Sequence, residues 1–264
     1  MDKQLKNLIL KSGNNLHTEV AQLLKDIDPK WNVEISTYYH DDITDKPREI
    51  DIIASKNIRI NFSNKNFDFK IFLFIECKYL ISNVAFRMRE NSVISSREAI
   101  INQGFSVDIL EKTNLANSHH YVSREKIGKL YDTEENKEIF NALTCTAKSL
   151  MFFKEHRNET GIFYPLVIYD GIPGIYEIED NELSELDSLT PKESSIFHIN
   201  YSYRSTVNDR LENQSFCIDF IRKNKLKEFI EMIEKNEVSQ IIGLNSFLSN
   251  NRRTSPVNRD DFSV

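Results

Sequence analysis

Long apolar runs are missing from this chain. None of its 264 residues falls in a stretch of the roughly 18 apolar residues a membrane span needs. The N-terminal MDKQLKNLILKSGNN lacks the longer apolar stretch and small-residue cleavage site of a signal peptide. Cysteine is scarce: Cys77, Cys145 and Cys217 are odd in number, far apart and in no paired spacing. They fit neither a disulfide framework nor a zinc site, and read as reduced thiols in a cytoplasmic compartment. Surplus positive charge is missing too. Lys and Arg number 34 against 40 Asp and Glu, for a net charge of −6 and a pI near 5.6. That balance excludes a protein that coats nucleic acid through bulk charge, and leaves room for a local basic groove. Between Met1 and Leu248 there is no internal repeat and no Pro/Gly/Ser linker.

What is present is a foldable core. Hydrophobic residues make up 40% of the chain and aromatics 11%, with 17 Phe and 10 Tyr, which excludes a disordered or low-complexity chain. The length suffices for one large domain or two small ones. Leu16, Val20, Leu23, Leu24 and Ile27 repeat with helical spacing, so a helix is expected from about Asn15 to Ile27, ended by Pro29. Trp31 to Tyr39 alternates as a strand, and Glu49 to Ala54 reads as a second, with a short strand at Ile58 to Phe62. Phe67 to Leu80 contains Ile71-Phe72-Leu73-Phe74-Ile75, apolar on both faces, as befits a strand covered by layers on both sides. The first eighty residues thus read α-β-β-β.

From Ser82 to about His156 the pattern reads as mainly helical, most clearly from Glu134 to Glu155. Strands are expected again at Ile162 to Tyr169, Gly174 to Ile178, Ile196 to Tyr203 and Ser215 to Ile221. Helices follow over Lys225 to Glu234 and Val238 to Leu248, then a polar tail, Ser249 to Val264, expected to be disordered. The simplest architecture is one α/β domain over 1–248, a mixed central sheet flanked by helices with a helical insertion at 82–156.

Charge stands at three places where the pattern expects apolar residues. Glu19 lies at the border of the first helix's stripe. Glu49 and Asp51 share a strand face by the period of two, and Glu76 and Lys78 end the most hydrophobic strand in the chain. Glu76 and Lys78 alone have a simple alternative, a salt bridge at a strand end. With Asp51 and Glu19 added, several carboxylates meet one ammonium at the rim of a core. That is costly unless one is protonated or a hard divalent cation such as Mg²⁺ joins them.

This arrangement resembles the PD-(D/E)XK nuclease superfamily, with its restriction-endonuclease-like αβββαβ core. Asp51 matches the motif's first Asp, Glu76 its D/E and Lys78 its K. The spacer of twenty-four residues between Asp51 and Glu76 spans a hairpin, and Glu19 matches the first-helix glutamate of many members. Ile50 stands where the motif has Pro. The resemblance covers roughly the first eighty residues well and the later strands only by order.

It implies metal-dependent phosphodiester hydrolysis. Asp51, Glu76 and the backbone carbonyl of Cys77 would bind Mg²⁺, with Mn²⁺ as a substitute. Lys78 would orient or activate the attacking water, and Glu19 would hold the metal's waters or a second ion. Glu49 reads as a solvated neighbour. DNA is the expected substrate, ahead of RNA. Arg87, Arg89 and Arg97, expected on the next helix, are the candidate phosphate contacts, while the Arg222–Lys227 and Arg252-Arg253 clusters read as solvated faces. No DNA-reading module is visible, so specificity would come from loops, a homodimer or a partner protein. The alternatives are a non-catalytic binding module on the same fold and a partner-activated, RNA-cutting defence effector. His119-His120-Tyr121 has no companion motif and reads as packing or substrate contact. Cys77, Cys145 and Cys217 read as structural.

Overall fold

The computed structural model describes residues 14–41, 44–62, 65–130, 137–156, 161–171, 175–179, 190–204 and 211–242. The chain is mixed α/β, as the sequence leads one to expect. It begins with helix α1 (Asn14–Ile27), then strands β1 (Asn32–Asp41), β2 (Lys46–Phe62) and β3 (Lys65–Leu80), each antiparallel to the one before. Among the described residues, nine strands form one sheet. After β4 (Val84–Glu90), β5 (Lys126–Leu130), β6 (Gly161–Gly171), β7 (Ile175–Ile178), β8 (Ser194–Arg204) and β9 (Leu211–Arg222), its order is β1-β2-β3-β6-β9-β8-β5-β4-β7. The strands β3, β6 and β9 run parallel, so their C-terminal ends lie at one edge.

Two layers cover this sheet. One face packs against α1, α2 (Val93–Asn102), α3 (Val107–Lys112), α4 (Leu115–Ser118) and α6 (Leu226–Ile233) through Val20, Leu24, Ile100, Leu115 and Ile230. The other packs against α5 (Lys137–His156) through Leu143, Ala147, Leu150 and Phe153. The strand β3 sends Ile71, Leu73 and Ile75 to the first face and Phe72 and Phe74 to the second. Its two-sided apolar run therefore buys a central position, flanked by β2 and β6. Pro165 is accommodated in buried β6 because pairing with β9 begins only at Leu166, so its missing N–H interrupts no ladder on that side.

Three sequence expectations are corrected. The stretch read as a helical insertion contains β4 and β5, so Arg87 and Arg89 stand on a strand rather than a helix. Val84 and Phe86 are buried and alternate with Ala85 and Arg87, a period of two in a segment too short for its helical count to be decisive. Arg97 is helical, on α2, and its guanidinium bonds Ala116 O at 2.9 Å and Asn117 Oδ1 at 2.8 Å. The two short strands expected at 49–54 and 58–62 are one strand, continuous through Ser55, Lys56 and Asn57. Buried Lys56 is tolerated there because Asp28 at 2.7 Å and Glu234 at 2.6 Å hold its ammonium. Finally, α6 does not break before Val238: a π turn, Glu234–Val238, carries it into further helix through Ile242, and the rest of the expected helix, 243–248, lies outside the described residues. The expected tail, 249–264, lies outside the described residues. Among the described residues no helix is long and apolar enough to cross a membrane.

Gly104 fastens α2 to β6. It follows the helix with φ +94°, and a Cβ there would stand 2.3 Å from Gly161 O and 2.8 Å from the Phe163 ring. Backbone rather than a yielding side chain blocks that space. Gly104→Ala is expected to cost about 2 kcal/mol, from the left-handed strain and the clash together. Urea denaturation would show this as a lower midpoint at an unchanged slope.

Candidate functional site

The sheet opens where Asp51 stands. The pairing of β2 with β3 ends at Ile52 and Ile75, while β2 continues along β1 as far as Lys46 and Asp41. On the β1 side, the pairs Ile35–Ile52 and Thr37–Ile50 skip Ser36, which has φ +56°. Asp51 is therefore the residue at which β2 parts from β3. The amide of Cys77, left without a β2 carbonyl, donates instead to Asp51 Oδ2 at 2.7 Å. This bond fixes one carboxylate oxygen and holds the acid at the fork. From α1, His17 Nδ1 approaches Asp51 Oδ1 to 3.7 Å.

Glu76 and Lys78 stand on the α5 side of β3, one turn of the pleat apart, with Lys78 Nζ 3.0 Å from Glu76 Oε2. Glu76 is 5% exposed. Burial pushes its carboxyl up to about 6, against the pull of Lys78 and with a further push from Asp51. The Cys145 thiol on α5, close by, also favours its ionised form. Burial pulls the Lys78 ammonium the other way, but Glu76 and Asp51 outweigh it and raise its pKa. Asp51, Glu76 and Lys78 thus form one electrostatic unit, with two acids for one base. Cys77 lies buried on the opposite, α1 face, and Cys217 is buried too.

Glu19 is placed differently. It bonds Lys223 Nζ at 2.6 Å, and Lys223 also reaches Asp170 at 2.5 Å near the end of β6. The residue of α1 that meets Asp51 is His17, two positions earlier. Glu49 is exposed, and its carboxylate accepts from the Tyr38 hydroxyl opposite it on β1.

A second cluster gathers residues from more distant parts of the chain. His120 Nδ1 is 2.6 Å from Glu237 Oε1 and its Nε2 is 3.1 Å from Asp219 Oδ2. Tyr121 OH donates to Asp219 Oδ2 and Tyr164 OH to Glu237 Oε2, each at 2.7 Å. Burial disfavours the His120 imidazolium, but Glu237 and Asp219 outweigh it and raise its pKa to about 10. Burial instead drives His119 down to about 3. Glu237, although buried, is held near 2 by His120 first and His119 second.

The ligand atoms of His119, His120 and Glu237 lie within 4.8 Å of one another, close enough to hold an ion. Their hydrogen bonds describe another use. The Tyr121 amide donates to His119 Nδ1 at 3.2 Å, which leaves the proton of the neutral ring on Nε2. That nitrogen lies 3.2 Å from Glu237 Oε2, too bent for a good hydrogen bond. Glu237 already accepts from His120 N–H, the His120 ring and Tyr164. A cation would have to displace protons that now satisfy the carboxylate.

The sequence held a signal for both acids of this cluster. Glu237 interrupts the apolar spacing Leu226, Ile230, Ile233, Ile241, and Asp219 sits between Cys217 and Ile221 on one face of β9. Compared with protein-family models, curated proteins and solved structures, the chain has no match.

Proposed function

We propose that this chain is a metal-dependent nuclease that hydrolyses phosphodiester bonds in DNA, with Asp51, Glu76 and Lys78 as its centre. The observation that carries the reading is the fork between β2 and β3, where a partly exposed carboxylate and a buried one act on a single ammonium, Glu76 by direct contact and Asp51 through space. The donor set fits a hard divalent cation. Both acids offer oxygen, Asp51 keeps Oδ1 outside its bond to Cys77, and the unit carries one uncompensated negative charge. The Cys77 carbonyl would be the third donor, and Mg²⁺ the usual ion. Bound there, Mg²⁺ would supply Lewis-acid polarisation of the phosphate and a more acidic water.

The chain's own groups do the rest. Cys77 N–H keeps Asp51 in one rotamer, so the carboxylate does not have to be ordered when substrate arrives. Lys78, held at Glu76, presents a fixed positive charge where charge gathers on the phosphoryl oxygens in the transition state. Glu19, Lys223 and Asp170 lie at the same sheet edge as a charged border, and the resemblance of the motif half to PD-(D/E)XK nucleases supports the same chemistry.

Plasmid and linear DNA incubated with the protein and Mg²⁺ or Mn²⁺ test this. The Asp51→Asn protein keeps an acceptor for Cys77 N–H but loses the charge, and is expected to cleave at least about a hundredfold more slowly. Cleavage unchanged by that substitution would overturn the reading.

A further inference from the structure

A cavity of about 360 Å³ opens beside His120 and Asp219, between the start of β8, the end of β9 and α6. That volume is at the small end of ligand pockets, room for one compact molecule. Ile196 and Ile221 from the sheet and Phe229 and Met232 from α6 give it apolar walls. Two polar groups on its lining have capacity to spare. Asp219 is 4% exposed; its Oδ2 is taken by His120 and Tyr121, and its Oδ1 has no partner among the described residues. Arg124 makes one long contact, 3.9 Å to Glu177, and keeps the rest of its donor fork.

Charge narrows the ligand. The His120 imidazolium between Glu237 and Asp219 leaves one negative charge behind the wall. Lys225, the other lining cation, is held by Glu228 at 2.9 Å and Glu193 at 3.6 Å. The three cations His120, Arg124 and Lys225 are outnumbered by Asp219, Glu237, Glu177, Glu193 and Glu228, so a phosphate or carboxylate would meet net repulsion. A flat, neutral molecule suits the site, with an N–H for Asp219, a ring acceptor for Arg124 and a face for Phe229.

Position adds a connection to the fork. Glu76 pairs across from Val167, and Val167 across from Phe220, the neighbour of Asp219. Two strand spacings separate β3 from β9, on the order of 10 Å. Glu76 and Lys78 face the α5 layer and Asp219 the α6 layer, so a strand of nucleic acid at the fork would reach the cavity by crossing the edge where β3, β6 and β9 end.

We propose that this cavity is a nucleobase pocket, taking an adenine or cytosine by its exocyclic amino group on Asp219 Oδ1. The base comes from a free nucleoside or from the strand at the fork; the second source rests on the nuclease reading.

Calorimetric titration of the full chain in EDTA with adenosine, cytidine and purine riboside (adenosine without its amino group) tests the proposal. Adenosine or cytidine is expected to bind, and purine riboside about tenfold more weakly or worse, the cost of an unmade hydrogen bond to a charged acceptor. Asp219→Asn also disturbs His120, so Met232→Trp, which fills the cavity from a partly exposed position, and Arg124→Ala repeat the test. Each is expected to weaken binding about tenfold or more. Absence of nucleoside binding, equal binding of purine riboside, competition by inorganic phosphate, or indifference to Met232→Trp would each overturn the pocket. Glu76→Ala is expected to leave nucleoside binding unchanged, so the pocket and the nuclease reading fail separately. Oligonucleotides bearing one abasic site then identify the source. A tenfold loss at one position places the base on the strand, and equal affinity throughout assigns it to a free nucleoside.

Discussion

Replacing Glu76 by Gln is expected to lower DNA cleavage by about 10²–10³-fold without lowering thermal stability at pH 8. The two halves of that result have one cause. In the folded chain, burial and Asp51 hold the Glu76 carboxyl near 6, above its ordinary 4.5, despite Lys78. A raised carboxyl pKa means that ionising this group works against the fold. The favourable, protonated state is fully populated below about 4.5, and its contribution is lost as pH rises through about 6. At pH 8 the ionised acid costs on the order of 2 kcal/mol, which a neutral isostere does not incur. Gln keeps an oxygen for Lys78 but no anionic ligand for a divalent ion. The same sign fixes the pH dependence expected of the wild type: on the proposed nuclease reading Mg²⁺ would compete with a proton at Glu76, so Mg²⁺ affinity is expected to climb as pH rises through about 6 and then level off. Cleavage assays, melting curves and Mg²⁺ titrations between pH 5 and 8 check the three parts. A Glu76→Gln protein that melts far below the wild type, with no separate loss of Mg²⁺ binding, would make Glu76 a structural acid and remove it from the centre.

How much of this was legible beforehand follows from the range of each interaction. The α-β-β-β order and the central place of β3 are local, written in periods of 3.6 and 2 and in a run apolar on both faces. The union of Asp51, Glu76 and Lys78 was nearly as accessible, because a hairpin joins their strands and antiparallel neighbours are adjacent by default. The fork itself was not legible. It depends on where β2 leaves β3 and on Ser36 at φ +56°, a conformation that serine seldom adopts. β4 and β5 were lost in a helical reading because strands of seven and five residues offer too few periods to separate from helix. His17 and Glu19 flank α1's stripe on opposite sides, about 200° apart, and the stripe alone does not say which side meets Asp51. The second cluster lay furthest from sequence reach: His120 and Glu237 are 117 residues apart, and neither belongs to a motif.

That cluster carries the largest stability effect expected in the molecule. Glu237→Ala is expected to cost about 3–5 kcal/mol, because it strips the buried His120 imidazolium of its nearest counter-charge and leaves Tyr164 OH without an acceptor. For a chain of this size the melting temperature falls by on the order of 10 °C. The loss comes from breaking the network rather than from any large net worth of its charges. Accordingly, the double variant His120→Leu/Glu237→Leu is expected to cost less than the two single substitutions added together, the mark of a coupled pair. The pH dependence has two arms of opposite sign. His120, raised to about 10, contributes fully below its ordinary 6.5 and loses that contribution as pH climbs through 10. His119, depressed to about 3, is buried neutral, so stability falls as pH drops from 6.5 towards 3. Glu237, depressed to about 2, adds an acid loss below its ordinary 4.5. From these groups alone the optimum lies near pH 6.5. Glu237→Ala removes most of the His120 shift, so the variant's deficit is expected to shrink between pH 7 and 10. Differential scanning calorimetry of both proteins across that range measures it; a deficit that stays constant would mean that His120 is neutral in the fold and the network is held by hydrogen bonds without an ion pair.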